Sequence, residues 1–388
     1  MTIKELHPSP QTAKQGMRIP VAKPNFTALE TNYVMDAWTK GEVSGVPTLE
    51  YIRKFEDAWT QRIGRAYCDA VTSGTDALEV TLRALGIGEG DEVLVPAWTF
   101  AAPINAVLYV GATPILVDID SENWTMDPYG VEAHRTPKTR AMIGVDIFGH
   151  PCNFSSLSES VVPSEDYLSH KLYPRCHLIE DAAQAHGAMY LGGLGWHYCG
   201  NFGVVSTFSM FANKAITSGE GGVILTNQSE LAERIHLIRN HGMTGNYDHK
   251  LVGGNHRMNN LSAAIGLGQM ERWDELIEGR ELVAQMYNHY LLPELQRRPV
   301  SAWAKPVTWL YCITHPERDR LVAGLREQGI DARPTWKSLD QFPIYRTAVR
   351  GEYPIANRVA REAFVLPTYV GLQEETVREI AGILKGLL

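Results

Sequence analysis

The sequence predicts an α/β protein: a large domain on a mainly parallel, mixed sheet flanked by helices, then a smaller C-terminal α+β domain. Three observations predict it. Short, β-branched apolar runs of strand length alternate with helical segments between residues 66 and 227. Those runs are apolar on both faces, as parallel strands buried beneath crossover helices must be. Beyond Ser262 the alternation stops, and a long amphipathic helix leads into a strand–helix–strand unit.

The elements follow in chain order. AYCDAVT (66–72) reads as a strand, followed by a helix from Thr75 to Leu85; DEVLVP (91–96) is a strand, followed by a helix across Ala101–Val110. TPILVDI (113–119), AMIGVDI (141–147), HLIEDA (177–182), VVSTFSM (204–210) and GGVILTN (221–227) complete the strand set. One long helix is expected over Ala263–Tyr290. VTWLYCIT, PERDRLVAGLREQG and IDARPTW then form the small domain, closed by a helix over Glu374–Leu387. The Pro-containing stretch Leu292–Pro306 marks the boundary, dividing the chain into 1–295 and 296–388.

Composition narrows the function classes. The 388 residues carry 36 Lys+Arg against 44 Asp+Glu, so 36 − 44 = −8, which argues against nucleic acid or an anionic membrane as a bulk-charge partner. No stretch approaches the roughly 18 apolar residues of a membrane span, and the start MTIKELHPSPQTAKQGMRIP lacks the apolar core of a signal peptide. Five scattered cysteines (Cys68, Cys152, Cys176, Cys199, Cys312) without a C-x-x-C pair fit reduced thiols in a cytoplasmic protein. The 13 histidines form no H-x₃-H or HExxH grouping, so no metal is expected.

Five motifs carry chemistry. Thr72-Ser73-Gly74-Thr75-Asp76-Ala77 joins a strand to a helix start, where free amides and a partial positive charge suit a phosphate. An ordinary N-cap by Ser73 or Thr75 reads the same way. Ile179-Glu180-Asp181-Ala182-Ala183-Gln184 ends an apolar strand with an acid, where ligands bind in α/β sheets. Asp181 could hold a protonated ring nitrogen and Gln184 a neighbouring ring oxygen, or the acid could cap a helix. Ser209-Met210-Phe211-Ala212-Asn213-Lys214, before Gly219-Glu220-Gly221-Gly222, offers a lysine suited to Schiff-base chemistry; a surface lysine is the plainer outcome. Trp98, in Pro96-Ala97-Trp98-Thr99-Phe100, is a candidate to stack on a planar group or to fill the core. Gly253-Gly254-Asn255-His256-Arg257 brings an amide and a guanidinium suited to a phosphate or an acidic substrate.

The order SGTDAL, VPAWTF, EDAAQAHG, FSMFANK…GEGG and GGNHRMNNLSAAIG resembles the DegT/DnrJ/EryC1/StrS family, from about Arg18 to the C-terminus. The resemblance implies a fold-type I aminotransferase dependent on pyridoxal 5′-phosphate, acting on keto sugars. By resemblance, Lys214 is the lysine that carries the cofactor as an internal aldimine and shuttles the proton. Asp181 keeps the pyridine nitrogen protonated, Gln184 lies near the ring 3-oxygen, and Trp98 lies on the ring face. Gly74, Thr75 and Ser209 contact the phosphate. Asn255 reaches the phosphate bound to the neighbouring subunit, which implies a homodimer with shared sites. His186 and Arg257 are assigned to substrate.

Within the family, RIPVAKPNF and the GEVSG region are similar to perosamine-synthase-like enzymes. That implies an amino-acid donor, glutamate, and a nucleotide-linked 4-keto-6-deoxy sugar as acceptor, with keto-cyclitols and other ketones as alternatives. Same-fold sugar dehydratases carry a histidine in place of Lys214, which favours transamination here. A dinucleotide-binding oxidoreductase is disfavoured because Gly86-Ile87-Gly88-Glu89-Gly90 follows a helix and precedes a strand, the reverse of the required context. Two departures stand out. Asp146-Ile147-Phe148-Gly149 replaces the family's H-L-Y-G, and the chain is longer around residues 155–175, an insertion that could shape a substrate mouth or decorate the surface, the second being the favoured reading.

Overall fold

The computed structural model describes residues 17–46, 49–161, 176–245, 247–298 and 300–388. Two helices open it. α1 (Ala28–Thr39) starts at a capping box in which Thr27 and Glu30 satisfy each other's amides. α2 (Glu50–Ile63) buries Tyr51, Ile52, Phe55, Trp59 and Ile63 along one side.

A seven-stranded sheet follows, from β1 (Tyr67–Val71), β2 (Glu92–Pro96), β3 (Thr113–Val117), β4 (Thr139–Val145), β5 (His177–Asp181), β8 (Val205–Ser209) and β9 (Gly222–Thr226). Its order is β1-β9-β8-β5-β4-β2-β3. β9 pairs antiparallel with both neighbours, while the pairs from β8 across to β3 are parallel. The hairpin β6 (Met189–Gly192) and β7 (Gly195–Tyr198) stands apart in a three-stranded sheet with the later β11 (Ala304–Lys305). The crossover helices are α3 (Gly74–Ala84), α4 (Ala102–Tyr109), α5 (Pro128–His134) and α6 (Phe154–Val161). Every expected strand of this sheet lies within about two residues of its sequence reading. Residues 162–175, most of the expected insertion, lie outside the described residues.

The expected helix Ala263–Tyr290 is two helices. After α7 (Ser229–Arg239), α8 (Asn260–Glu271) stops at Arg272 and α9 (Trp273–Tyr290) begins at once. No Pro or Gly marks the break. Arg272 is anchored instead by tertiary contacts to Asn25 and Glu30, which hold it out of helical geometry (φ −101, ψ 16). Gly266 of α8 lets Phe55 approach so closely that a Cβ would meet its ring at 2.6 Å.

α9 serves two cores. Trp273 and Leu276 join Phe55, Trp59 and Phe208 under the large sheet. Val283, Ala284 and Tyr287 pack against a four-stranded antiparallel sheet of β10 (Gln296–Arg297), β12 (Tyr311–Thr314), β13 (Arg333–Pro334) and β14 (Ala363–Leu366). α10 (Arg318–Glu327), α11 (Pro354–Glu362) and α12 (Glu374–Leu387) complete the C-terminal part. Among the described residues no helix is long and apolar enough to cross a membrane, and the five cysteines are free thiols.

Candidate active site

The C-terminal ends of β1, β2, β5 and β8 and the segments leading from them surround a cavity of about 310 Å³. Crevices at such strand ends are where open α/β sheets bind ligands. Asp181 is the last residue of β5 and is buried; its Oδ1 accepts from the Ala183 amide at 3.1 Å. Burial pushes its carboxyl up to about 6, against the pull of that hydrogen bond and of Lys214.

Lys214 leaves the turn after β8. Its amide donates to Phe211 O at 2.9 Å, and the turn is closed by Met210 N to Gly221 O at 2.8 Å. The side chain runs inward, with Nζ 4.0 Å from the centre of the Trp309 ring. Burial pushes the amine down to about 7; Asp181 opposes this and the Arg280 cation reinforces it. A buried acid and a buried amine with values drawn toward neutrality, in one cavity, are the equipment of proton transfer.

Opposite them, Ser73 caps α3: its Oγ accepts from Asp76 N at 3.0 Å and its carbonyl from Ala77 N at 3.0 Å. The amides of Gly74 and Thr75, the first two of the helix, have no partner inside it and line the cavity beside Ser209. Gly74 is required there, because a Cβ would stand 2.7 Å from the Ser209 Cβ. Gln184 is oriented by its Oε1, which accepts from the Phe148 amide at 2.7 Å and leaves the Gln184 amide nitrogen for the cavity. Phe148 holds a left-handed backbone (φ 49), with its carbonyl and that of Ile147 taken by Arg298 at 3.0 and 2.6 Å. Asp146, the first residue of the departing motif, is wholly buried and accepts from the Cys152 amide at 2.9 Å.

Two expected contacts are corrected. Trp98 does not reach the cavity: it is fully buried, packed edge-on to Trp124 at 5.8 Å and against Phe148 at 5.6 Å, with its indole N–H donated to Trp336 O. The aromatic of that segment at the cavity is Phe100, two residues on and 56% exposed. His186 lies in the core against Trp59, Phe208 and Trp273. It is 1% exposed, and burial holds it neutral, so it offers no surface to a substrate.

Arg257 and Asn255 also lie outside their own chain's cavity. Arg257 donates to Asn240 Oδ1 at 2.8 Å, and Asn255 is exposed on a loop bridged to Asn240. Trp309 and Trp336 of the C-terminal part complete the lining, and the motifs gave no sign of them. Thr99 Oγ1, Asn213 Oδ1 and Trp336 Nε1 belong to residues of this lining and are buried without a hydrogen-bond partner among the described residues. Buried polar atoms carry a cost when unpaired, so such atoms around a cavity point to a polar ligand.

A profile of the DegT/DnrJ/EryC1/StrS aminotransferase family matches residues 28–385. GDP-perosamine synthase of Escherichia coli O157:H7 is 36% identical over 92% of this chain and 95% of its own. Streptomyces venezuelae DesV, solved in complex with a ketimine intermediate, superposes with a TM-score of 0.84 at 31% identity, covering 92% of this chain and 94% of its own. A Streptococcus pneumoniae chain solved in its PLP form gives 0.86 at 25% identity, covering 95% and 99%. With that fold, a buried lysine–acid pair and a profile match over nearly the whole length, the chain belongs to the DegT/DnrJ/EryC1/StrS aminotransferase family.

Proposed function

We propose that this aminotransferase binds pyridoxal 5′-phosphate in the cavity and moves an amino group from glutamate to the ketone of a nucleotide-linked 4-keto-6-deoxy sugar. The observation that carries the reading is the buried Lys214–Asp181 pair facing an α-helix N-terminus across one small cavity. When bound, the cofactor supplies an electron sink for charge released at the amine-bearing carbon. Asp181 would hold the proton on the ring nitrogen, and the Gln184 amide would donate to the ring oxygen. The Gly74 and Thr75 amides with the Ser209 hydroxyl would hold the phosphate. Phe100 would flank the ring at the mouth. Lys214 would be the covalent attachment point and, as a free amine, the group in the cavity able to take up and return a proton.

Asn255, exposed and outside its own cavity, supports a homodimer in which each chain lends this loop to the other's phosphate. Two GDP-perosamine synthases among the relatives, each 36% identical over 92% and 96% of this chain, support the acceptor class. The test is to load the protein, incubate it with glutamate, and offer GDP-, dTDP- and UDP-linked 4-keto and 3-keto sugars, reading products by mass. Amination of a 4-keto-6-deoxy sugar is expected. Amination of 3-keto sugars alone would overturn the acceptor assignment.

Two further outcomes follow from the geometry. The rate of pyridoxal phosphate uptake by cofactor-free protein should rise about tenfold per pH unit below 7 and level off above it, because only the free amine of Lys214 attacks an aldehyde. Stopped-flow absorbance across pH 5–9 measures it, and a midpoint near the ordinary lysine value contradicts it. Gly74→Ala should weaken cofactor affinity about 10- to 100-fold with the fold intact, since the new Cβ displaces Ser209. Equilibrium titration of the cofactor checks this.

A further inference from the structure

Arg280 lies in the middle of α9, 2% exposed. Among the described residues it forms no ion pair with a carboxylate, and its hydrogen bonds go to four backbone carbonyls. Nη1 donates to Trp309 O at 2.5 Å and Thr368 O at 3.4 Å; Nη2 donates to Lys214 O at 3.0 Å and Asn213 O at 3.3 Å. Nε has no partner. A cation buried without a counter-charge is costly, and an apolar side chain would fill the volume without that cost. The four carbonyls come from three segments: the turn that carries Lys214, the approach to β12, and the exit from β14.

Trp309 closes the arrangement. Its carbonyl is held by Arg280, its indole N–H donates to Asn213 O at 3.0 Å, and its ring lies 4.0 Å from Lys214 Nζ. The groups facing Lys214 are Asp181 from β5, which favours the ammonium, His186, which is held neutral, and Arg280 from α9, which disfavours the ammonium. Glu220 lines the same cavity.

We propose that Arg280 is a positioning residue for Lys214: its guanidinium ties the lysine-bearing turn and Trp309 to the small sheet and sets a fixed cation against the lysine's own carbonyl. This rests on the reading of Lys214 as the cofactor attachment point. It assigns two separable tasks to one side chain, geometry to the planar fork and electrostatics to the charge. Lysine could take over the second task but not the first, since an ammonium cannot bridge four carbonyls.

The test follows pyridoxal phosphate uptake by the cofactor-free, full-length protein across pH 5–9, with thermal melts alongside. In Arg280→Met the midpoint of the rate profile should move up by about one pH unit, leaving uptake about tenfold slower at pH 6. Arg280→Gln retains donors without charge, should show the same shift, and carries the test if the methionine variant does not fold. Arg280→Lys should keep the wild-type midpoint and lower the rate at every pH. Slower uptake in all three variants with no movement of the midpoint would reduce Arg280 to a packing role and overturn the proposal. Wild-type protein that takes up no cofactor would contradict the reading of the site, whereas normal uptake with unmoved midpoints contradicts the Arg280 assignment alone.

Discussion

Lys214→Ala should lower kcat for amino transfer by about 10⁴-fold or more, while circular dichroism shows the folded state retained. The size of the effect follows from burial. Lys214 is the one lysine lining the cavity among the described residues, so no neighbour can supply an amine in its place. Bulk water cannot reproduce a base held within the cavity, and its reaction is slower by the effective concentration lost. Steady-state assays with glutamate and a keto sugar measure the loss. A variant that transaminated at the wild-type rate would remove Lys214 from the chemistry.

Asp181→Asn should lower kcat by about 10³-fold, because a neutral amide of the same shape cannot hold a proton on the ring nitrogen. Its effect on the lysine runs the other way. Asp181 favours the ammonium form of Lys214, so removing its charge should lower the amine's midpoint further. Cofactor uptake below pH 7 is therefore expected to be at least as fast as in the wild type, even as turnover collapses. The shift is opposite in sign to that expected of Arg280→Met. Equal losses of uptake and turnover in Asp181→Asn would mean that the variant had disturbed the site as a whole, contradicting a specific electronic role.

The parts of this site legible in the sequence are those set by local chemistry. A glycine at a helix start, an acid at the end of an apolar strand and a lysine following another strand are chain-local patterns. Strand C-termini of one sheet then bring them together without further instruction. What was not legible depends on long-range packing. Trp98 and Phe100 are two aromatics in one short segment after β2, and only the tertiary structure buries the first beneath Trp336 and leaves the second at the mouth. His186 follows Gln184 by two residues, yet packing between Trp59 and Trp273 takes it out of reach.

Trp309, Trp336 and Arg280 come from segments remote in sequence, and each could equally have been core. The break at Arg272 carries no Pro or Gly signal because it is enforced by Glu30 and Asn25, 242 and 247 residues away along the chain. The reversed direction of β9 has a similar origin. GGVILTN is as apolar as its parallel neighbours, and its direction comes from the connection 210–221, which brings Gly222 back opposite Ser209, not from strand composition.

The proposed function rests on Lys214 as the attachment point for pyridoxal phosphate. Loading the full-length protein with the cofactor, reducing it with borohydride and mapping the modified peptides by mass spectrometry tests this directly. The account predicts one pyridoxyl group per chain, on Lys214. Stable labelling of a different lysine, or no labelled peptide from protein that remains folded, would contradict it.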